Sequence, residues 1–354
     1  MRILFVITKS EIGGAQRFVA EQIQIIAQTG QHEVFLATDQ PGWLTQVSAS
    51  FLTGLFTHEK ITKRPSAVYF WKLLSYLRKQ RIELIVCNSA NGGLYGRLAA
   101  FFTKRKTIYV SHGWSSIYNG GPFSSLFNRL EQLLGYLGTS VLCVSSTDYR
   151  KAIEFIKLPP SKLKLLHNCI FPLNTERSIP KDRNHFFSIV TICRLVAPKR
   201  VDLLIKAVKS LPLVQLSIVG SGPQRTELEK LISPQFVDRI HFLGEIPAFH
   251  DFKSYDAFAL ISDSEGLPIS ALEAMSCGLP LVVSNVGGCV DVIDNNGVLV
   301  DNQVDSIRNG ILDCIKNKER YAEGSFYLFD TRFNLLKNAS LYLEYYQAIA
   351  HPSS

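Results

Sequence analysis

The chain has 354 residues, 46% of them hydrophobic and 19% charged, and this composition excludes a disordered chain and is ample for two domain cores. The net charge of +8 is uneven, because residues 1–170 carry 20 Lys and Arg against 9 Asp and Glu, whereas the remainder carries 18 against 21. This asymmetry fits a polyanionic partner of the first half, either an acidic membrane or a nucleic acid, and equally fits a charged surface that only keeps the protein soluble.

The first half of the chain alternates apolar strands with segments of helical spacing. The strands are continuous apolar runs, which is typical of a parallel sheet covered by helices on both faces. Gly30 follows the first helical segment and predicts its C-terminal stop. The predicted strands are residues 2–8, 33–38, 83–88, 107–112 and 140–145, and the predicted helices are residues 14–29, 67–80, 92–102, 123–137 and 147–156.

The alternation stops at residues 171–184, where Pro172 and Pro180 stand among mixed charges, and this segment is typical of an interdomain linker. The pattern then restarts with strands at 186–192, 215–219, 239–243, 257–262, 281–284 and 297–300, with helices at 202–210, 224–232 and 270–275, and with a long terminal helix at 332–350. We therefore predict an α/β protein with two Rossmann-like doubly wound domains, residues 1–170 and 185–330. Ligands of such sheets bind at the carboxyl ends of the strands, so we expect the site in a cleft between two facing domains.

The seven cysteines are scattered, never form a C-x-x-C pair, and mostly lie in strand-like runs. We interpret them as reduced core residues of a cytoplasmic protein and not as disulfides or a zinc site. The apolar run at residues 3–7 is too short for a signal peptide, and no window approaches the length of a membrane-spanning helix. The cysteines are Cys87, Cys143, Cys169, Cys193, Cys277, Cys289 and Cys314.

A predicted anion site follows the strand that ends near Ser262. Pro268 suits the first turn of a helix, where its missing N–H costs nothing. The backbone N–H groups of Ile269 and Ser270 then point out of the helix start, where they and the helix dipole favour a phosphate.

Glu265 and Glu273 flank this anion site. Either one alone is explained as an ordinary acid at a helix start. Together, two carboxylates beside a phosphate would repel it unless they bound other groups, and sugar and ribose hydroxyls are suitable donors of hydrogen bonds to them.

The spacing of Glu265 and Glu273 resembles the E-x₇-E motif of the retaining glycosyltransferases of family 4, which have the GT-B fold. The resemblance implies that the long terminal helix at 332–350 crosses back over the first domain. The surrounding string agrees, with EGLP at 265–268, EAM at 273–275, GLP at 278–280 and a glycine pair at 287–288. Other motifs of the family appear in the right order, namely Gly13-Gly14-Ala15-Gln16-Arg17, His112-Gly113, Asn168, Cys193-Arg194-Leu195 with Lys199-Arg200, Gly220-Ser221-Gly222-Pro223 and Phe242-Leu243-Gly244. The chain departs from the family where Cys193 and Cys169 replace glycines, where Arg200 stands at a position that is often glycine, and where Gln16 replaces a common glutamate.

The resemblance implies roles for these residues. Glu265 would hold donor-sugar hydroxyls and Glu273 the ribose hydroxyls, while Arg194 and Lys199 would hold the diphosphate. Further donor-binding residues would be Gly14, Gly266, Leu267, Ile269 and Ser270, and the acceptor-side residues would be Gly13, Arg17 and Asn168. A departing nucleoside diphosphate gains negative charge, so fixed cations and helix N–H groups stabilise the transition state more than the ground state.

Two further expectations concern the chemistry. His112 matches the family's active-site histidine, and although a lone histidine is more often structural, the adjacent Gly113 and the strand-end position favour function. The sequence contains no D-x-D motif, and we predict no metal and no other cofactor. Retention at the anomeric carbon is implied by the resemblance alone.

The basic first half would bind the acceptor. Its basic clusters are Lys60, Lys63, Arg64, Arg78, Lys79, Arg81, Lys104, Arg105 and Lys106. We interpret an apolar stripe as core packing in preference to membrane contact; its residues are Phe123, Leu126, Phe127, Leu130, Leu133, Leu134 and Leu137. The predicted partners are a nucleotide-sugar donor (UDP-sugar first, GDP-sugar next), a lipid-linked glycan acceptor for capsule, O-antigen or exopolysaccharide, and an anionic surface at the inner face of the cell membrane.

Three other functions fit parts of this pattern. A sugar-nucleotide epimerase of the GT-B fold would share the cleft but should lack the E-x₇-E string. A nicotinamide dehydrogenase would need G-x-G-x-x-G, which residues 10–15 do not supply. A nonenzymatic nucleic-acid-binding protein would explain the basic first half but not Glu265, Glu273, Arg194 and Lys199, and no nucleic-acid partner is expected.

Overall fold

The computed structural model describes residues 1–63, 66–118, 121–173 and 186–351. It divides the chain into two compact units, Met1–Asn168 with Asn338–Ser354, and Cys169–Lys337. Residues 174–184 of the predicted linker, and Arg64 of the predicted basic clusters, lie outside the described residues.

The first unit contains a seven-stranded sheet in the order β3-β2-β1-β4-β5-β6-β7, with every neighbouring pair parallel. The central strands form because their side chains are apolar on both faces: Ile3, Leu4 and Phe5 are all 0% exposed. The strands are β1 Arg2–Val6, β2 Glu33–Thr38, β3 Gly54–Thr57, β4 Leu84–Asn88, β5 Lys106–Ser111, β6 Ser140–Cys143 and β7 Leu163–Leu165. The helices are α1 Gly14–Gln28, α2 Trp43–Ser48, α3 Ala67–Lys79, α4 Ala90–Thr103, α5 Ser115–Tyr118, α6 Ser124–Leu137 and α7 Ser146–Glu154.

The second unit contains a six-stranded parallel sheet in the order β10-β9-β8-β11-β12-β13. Its strands are β8 Phe187–Ile192, β9 Val214–Val219, β10 Ile240–Gly244, β11 Ala257–Leu260, β12 Leu281–Ser284 and β13 Gly297–Val300. Its helices are α8 Val201–Lys209, α9 Arg225–Glu229, α10 Ile269–Ser276, α11 Val304–Lys316 and α12 Lys318–Leu328. The prediction of two doubly wound parallel α/β domains is therefore confirmed.

In each unit the strand order reverses at one place, between β1 and β4 in the first and between β8 and β11 in the second. At such a switch point the two neighbouring strands continue to helices on opposite faces of the sheet, and ligands of doubly wound sheets bind at this place. The switch points therefore tell where each unit offers a ligand site.

The last helix, α13 Leu335–Ala350, supplies core side chains to the first unit. Tyr342 and Tyr346 are each 1% exposed. Three of its tyrosine hydroxyls donate hydrogen bonds within that unit: Tyr342 to the His167 carbonyl, Tyr345 to Ser140 Oγ (2.8 Å), and Tyr346 to Gln22 Oε1 (2.8 Å). Helix α13 begins at Leu335, three residues after the predicted start of the helix at 332–350. The delay arises because a π-helical turn occupies Phe329–Phe333 and Asn334 is extended.

The interpretation of the apolar stripe as core packing is wrong for five of its seven residues. Phe123 is 64% exposed, and on α6 Leu126 is 63%, Phe127 40%, Leu130 39% and Leu133 58% exposed. Helix α6 buries the other side, Leu134 and Gly135, because the absence of a side chain on Gly135 admits Leu158, whose Cδ2 lies 2.6 Å from where a Cβ would stand. We call Phe123, Leu126, Phe127, Leu130 and Leu133 the apolar face of α6.

Among the described residues, no helix has both the length and the apolar character that crossing a bilayer requires.

Candidate functional site

At the switch point of the second unit, the loop after β8 meets the loop after β11. Lys199 Nζ forms an ion pair and hydrogen bond with Glu265 Oε1. The two loops are also joined by an antiparallel bridge between Lys199 and Ser262, and the Asp263 amide donates to the Pro198 carbonyl over 2.9 Å. The Lys199 side chain is 19% exposed and that of Glu265 is 10% exposed. Two residues predicted from separate motifs are thus in direct contact where these two loops meet.

Gly287, which follows β12, packs closely against the backbone of the loop that carries Glu265. Gly287 has φ +51, and a Cβ on it would stand 1.8 Å from the Glu265 carbonyl oxygen. The amide of the next residue, Gly288, donates to the Gly266 carbonyl over 2.9 Å. A side chain at Gly287 would therefore push the Glu265 backbone out of place.

The loop after β9 supports the loop that carries Arg194 in the same way. Gly220 and Gly222 have φ +137 and +156, and a Cβ on them would stand 1.9 Å from the Cys193 carbonyl and 2.4 Å from the Leu195 carbonyl. The Leu195 amide donates to the Ser221 carbonyl over 2.8 Å. Arg194 itself points outward: it is exposed, and its guanidinium makes no ion pair with any residue in the described ranges.

Helix α10 starts without a side-chain cap. Pro268 lies directly before the helix and not in its first turn as predicted, and its carbonyl accepts from the amides of Ala271 (3.1 Å) and Leu272 (3.3 Å). Because proline has no side-chain acceptor, the N–H groups of Ile269 and Ser270, the first two residues of the helix, receive no side-chain cap. The start of α10 therefore keeps the partial positive charge expected of an anion site.

The remaining predicted donor residues belong to the same segment. Gly266 is partly buried and Leu267 is 6% exposed in the loop before α10, and Glu273 is partly buried within α10. The structure therefore places Glu265 before the helix and Glu273 inside it. Every predicted donor residue of the second unit lies at the carboxyl end of its sheet or on α10.

Sequence analysis did not identify Asn302, which ties three of these loops together. Its side-chain amide donates to the Ser262 carbonyl (3.0 Å) and to Asp263 Oδ1 (2.7 Å), and its Oδ1 accepts from Ser284 Oγ (2.6 Å). The Ser262 amide in turn donates to Ser284 Oγ over 3.0 Å. The only sequence signal was a polar residue shortly after the apolar strand predicted at 297–300.

At the switch point of the first unit, the loop after β1 meets the start of α4. The Thr8 amide donates to Ser89 Oγ (3.0 Å), and the two hydroxyl oxygens are 2.6 Å apart. Ser89 has φ +64, a left-handed conformation that a residue with a side chain adopts at some cost in energy. Neither residue was predicted as part of a site.

His112 follows β5 at the same edge of this sheet. Its Nε2 lies 2.9 Å from Oδ1 of Asn88, and the Asn88 amide donates to the Val86 carbonyl (3.3 Å), which leaves Oδ1 as the acceptor. His112 Nε2 therefore carries the proton, and Nδ1 presents a lone pair. The ring edge packs on Phe18 at 5.0 Å, and burial lowers the pKa of His112 to about 4, so the imidazole is neutral at pH 7. Asn88 was not predicted.

The depressed pKa of His112 predicts a loss of stability in acid. The histidine of the unfolded chain binds a proton near pH 6.5, but that of the folded chain binds one only near pH 4. The stability that neutral His112 contributes is therefore complete above pH 6.5, decreases as the pH falls below that value, and is fully lost once the pH has fallen through 4. Between pH 7.5 and 5.0 we expect wild type to lose about 1–2 kcal/mol more than His112→Gln. Urea unfolding followed by tryptophan fluorescence measures this, because all three tryptophans, Trp43, Trp71 and Trp114, lie in the first unit.

The control for that measurement is His250→Gln, which changes an exposed histidine of the second unit. The free energy of unfolding of His250→Gln should change with pH as that of wild type does. Equal pH dependence of wild type and His112→Gln would contradict the neutral state of His112.

The predicted acceptor-side residues all lie in the first unit. Gly13, in an extended conformation (φ −179), directly precedes α1, whose first residue is Gly14. Arg17 Nε is 3.0 Å from Glu21 Oε1. Asn168 is 3% exposed, and its Oδ1 is buried without a hydrogen-bond partner in the part of the chain that the structure describes.

Potential metal ligands are dispersed over the described part of the chain. Within the described ranges, no three His, Cys, Asp or Glu side chains are grouped as they would be around a metal ion. All seven cysteines are free thiols.

The chain matches known proteins along its length. Residues 12–172 match the family model "Glycosyltransferase Family 4", and residues 174–325 match "Glycosyl transferases group 1". The O-antigen biosynthesis glycosyltransferase WbnH of Escherichia coli is 38% identical over 321 residues, which cover 90% of this chain and 91% of that protein.

Two more distantly related proteins are also similar to this chain over most of its length. The E. coli UDP-Gal:alpha-D-GlcNAc-diphosphoundecaprenol alpha-1,3-galactosyltransferase is 24% identical, over 87% of this chain and 86% of that one. The solved structure of Anabaena Alr3699/HepE in complex with UDP-glucose superposes with a TM-score of 0.84 at 20% identity, over 98% of this chain and 100% of that one. These matches do not favour an epimerase or a nonenzymatic nucleic-acid-binding protein. The chain belongs to glycosyltransferase family 4 and is a glycosyltransferase with the GT-B fold.

Proposed function

We propose that the protein transfers a sugar from a nucleoside diphosphate sugar, with retention at the anomeric carbon, to a hydroxyl of a lipid-linked glycan in the assembly of a surface polysaccharide such as O-antigen. The contact of Lys199 with Glu265 at the switch point, beside the uncapped start of α10, is the observation that carries this proposal. The relative WbnH is named for O-antigen biosynthesis, and the galactosyltransferase is named for a UDP-sugar and a diphosphoundecaprenol-linked acceptor. UDP-sugars are therefore the first donors to test and GDP-sugars the second.

In the second unit, Lys199 and Arg194 would bind the diphosphate together with the amides of Ile269 and Ser270. As the bond to the sugar breaks, negative charge grows on the departing diphosphate, and cations and amides fixed beforehand stabilise it without reorganisation. Because this chain supplies that charge itself, we propose that transfer needs no metal ion, and chelation with EDTA should leave the rate unchanged.

The acids of the second unit would orient the donor. Glu265 would accept hydrogen bonds from hydroxyls of the donor sugar, and Glu273 from those of the ribose. Gly266 and Leu267 would line the same donor site with their backbone. Glu265 balances the charge of Lys199, and the ion pair holds the two side chains against each other.

In the first unit, we assign His112 to the reacting end of the donor sugar. Its neutral imidazole would act as a hydrogen-bonding group and not as a strong acid. Gly14 would contact the donor at the start of α1, and Gly13, Arg17 and Asn168 would serve the acceptor. The buried Oδ1 of Asn168, which has no partner among the described residues, suits an acceptor hydroxyl.

A melting-temperature screen of UDP-, GDP- and ADP-sugars tests the donor assignment. A donor present at about 100 times its Kd adds about 2.7 kcal/mol, or a rise of roughly 5–10 °C. We expect one nucleotide class to give this rise in wild type, and Glu273→Ala to lose most of it because the ribose hydroxyls lose their acceptor.

The matched control is Glu319→Ala, which removes an exposed acid of α12 in the same unit. It should keep the full rise. The proposal is wrong if no nucleotide sugar stabilises wild type, or if Glu273→Ala responds to the donor as Glu319→Ala does.

A further inference from the structure

The apolar face of α6 is an exposed hydrophobic surface on the first unit. Its five side chains are between 39% and 64% exposed and recur at the helical spacing of three and four residues. Soluble monomers seldom expose a row of large apolar side chains unless it binds something. Core packing, the ordinary explanation for such a stripe, is excluded by the exposure itself.

The exposed surface has a second part, on α3 and the end of α4. Trp71 is 65%, Phe101 56% and Phe102 62% exposed. A chain of ring contacts connects them: Trp71 to Phe70 (6.1 Å), Phe70 to Phe102 (5.7 Å), and Phe102 to Phe101 (5.6 Å). Helix α4 packs against both α3 and α6, so these aromatic rings and the apolar face of α6 belong to neighbouring elements.

Positive charge is concentrated in the same part of the chain. Residues 60–130 contain twelve Lys and Arg and a single acid, Glu83, and thus carry the whole net charge of +11 found in residues 1–170. On α6, the carboxylate of Glu131 is neutralised by Arg97 at 2.7 Å. Among the described residues of this segment, the exposed basic side chains are Lys63, Lys72, Arg78, Lys79, Arg81, Lys104 and Arg129.

We propose that this surface docks the protein on an anionic lipid bilayer. The apolar face of α6, with Trp71, Phe101 and Phe102, would enter the boundary between headgroups and acyl chains, and the lysines and arginines would contact the lipid phosphates. Helix α6 has 14 residues, which suits a helix that lies in the plane of the interface and is too short to span the bilayer.

Charge argues for a bilayer over a second copy of this chain. A dimer formed through this face would bring two surfaces of high positive charge together, which repel each other, whereas acidic lipids attract each of them. The inference rests on the proposed function only in that a lipid-linked acceptor would lie in the same membrane. Binding to lipid itself requires no sugar transfer.

Vesicle sedimentation tests the docking surface. Wild type should bind vesicles of 30% phosphatidylglycerol in phosphatidylcholine at low salt, and bind pure phosphatidylcholine or high-salt samples much less. The variant Leu126→Ser with Leu130→Ser and Leu133→Ser should lose about tenfold or more of this binding. The variant Lys72→Gln with Lys79→Gln and Lys104→Gln should lose both affinity and salt dependence.

The matched control changes equally exposed apolar residues of the second unit, Leu213→Ser with Leu312→Ser and Phe326→Ser, and should bind vesicles like wild type. All variants should keep the wild-type rise in melting temperature with UDP, which reports an intact donor site. Absence of vesicle binding by wild type, or a dimer in sedimentation equilibrium that the α6 variant dissolves, would overturn the docking proposal. A failed donor assignment has a different result: UDP gives no rise in wild type while vesicle binding persists.

Discussion

Replacing Lys199 with methionine is expected to lower kcat about 10²–10³-fold, with a smaller change in KM. Methionine keeps most of the side-chain volume but removes the charge that would face the departing diphosphate. That charge is needed most when the bond to the sugar breaks, so the loss should fall on the rate of the chemical step more than on donor binding. Steady-state kinetics with the donor found in the melting-temperature screen measure both constants.

The ion pair with Glu265 requires two comparisons. Lys199→Met leaves a largely buried carboxylate without its partner, so Lys199→Arg, which keeps the charge, should recover part of the rate. Lys230→Met removes an exposed lysine of the same unit, whose partner Glu227 is also exposed, and should leave both constants unchanged. A Lys199→Met enzyme within threefold of Lys230→Met would refute the role of Lys199.

Gly287→Ala is expected to destabilise the second unit by more than about 2 kcal/mol and to abolish most transfer. The new Cβ would stand 1.8 Å from the Glu265 carbonyl oxygen, at a φ of +51. The backbone must move to relieve this overlap, and Glu265 moves with it. Differential scanning calorimetry gives the stability, and kcat/KM gives the effect on the site.

Gly244→Ala separates backbone strain from displacement of Glu265. Gly244 lies in the same unit and has a φ of +76, but the nearest atom to its Cβ would be Arg225 Nη1 at an ordinary 3.6 Å. It should cost about 1 kcal/mol from the left-handed conformation alone and leave kcat/KM near wild type. Equal effects of the two substitutions would mean that Gly287 does not position Glu265.

The main elements of both sheets were predictable because their strands are continuous apolar runs. The elements that were not predicted are mostly short or polar. Strand β3 alternates partly buried with exposed residues at a sheet edge, and β7 has three residues. Helix α11 is different, because Ile307, Ile311 and Cys314 recur at helical spacing and are buried, so its signal was available in the sequence.

The residues of the candidate site could be predicted where a sequence motif identifies them. They could not be predicted where strand pairing determines which residues are in contact. Glu265 and Lys199 come from separate motifs, and adjacency of β8 and β11 brings their loops together. The partners Asn88 and Asn302 were missed because their roles depend on which strands are neighbours. Asn88 reaches His112 because β4 lies beside β5, with Asn88 opposite Val110.

The position of helix α13 has a consequence for how the chain matures during synthesis. Gln22 lies near the start of the chain, and its hydrogen-bond partner Tyr346 is added only after 324 further residues have been translated. The 169–337 unit is continuous in the chain, so it can complete its core on the ribosome while the earlier-made unit still exposes the surface that α13 covers. Nascent chains arrested before residue 338 should therefore be protease-resistant in the later-made unit and sensitive in the earlier-made one.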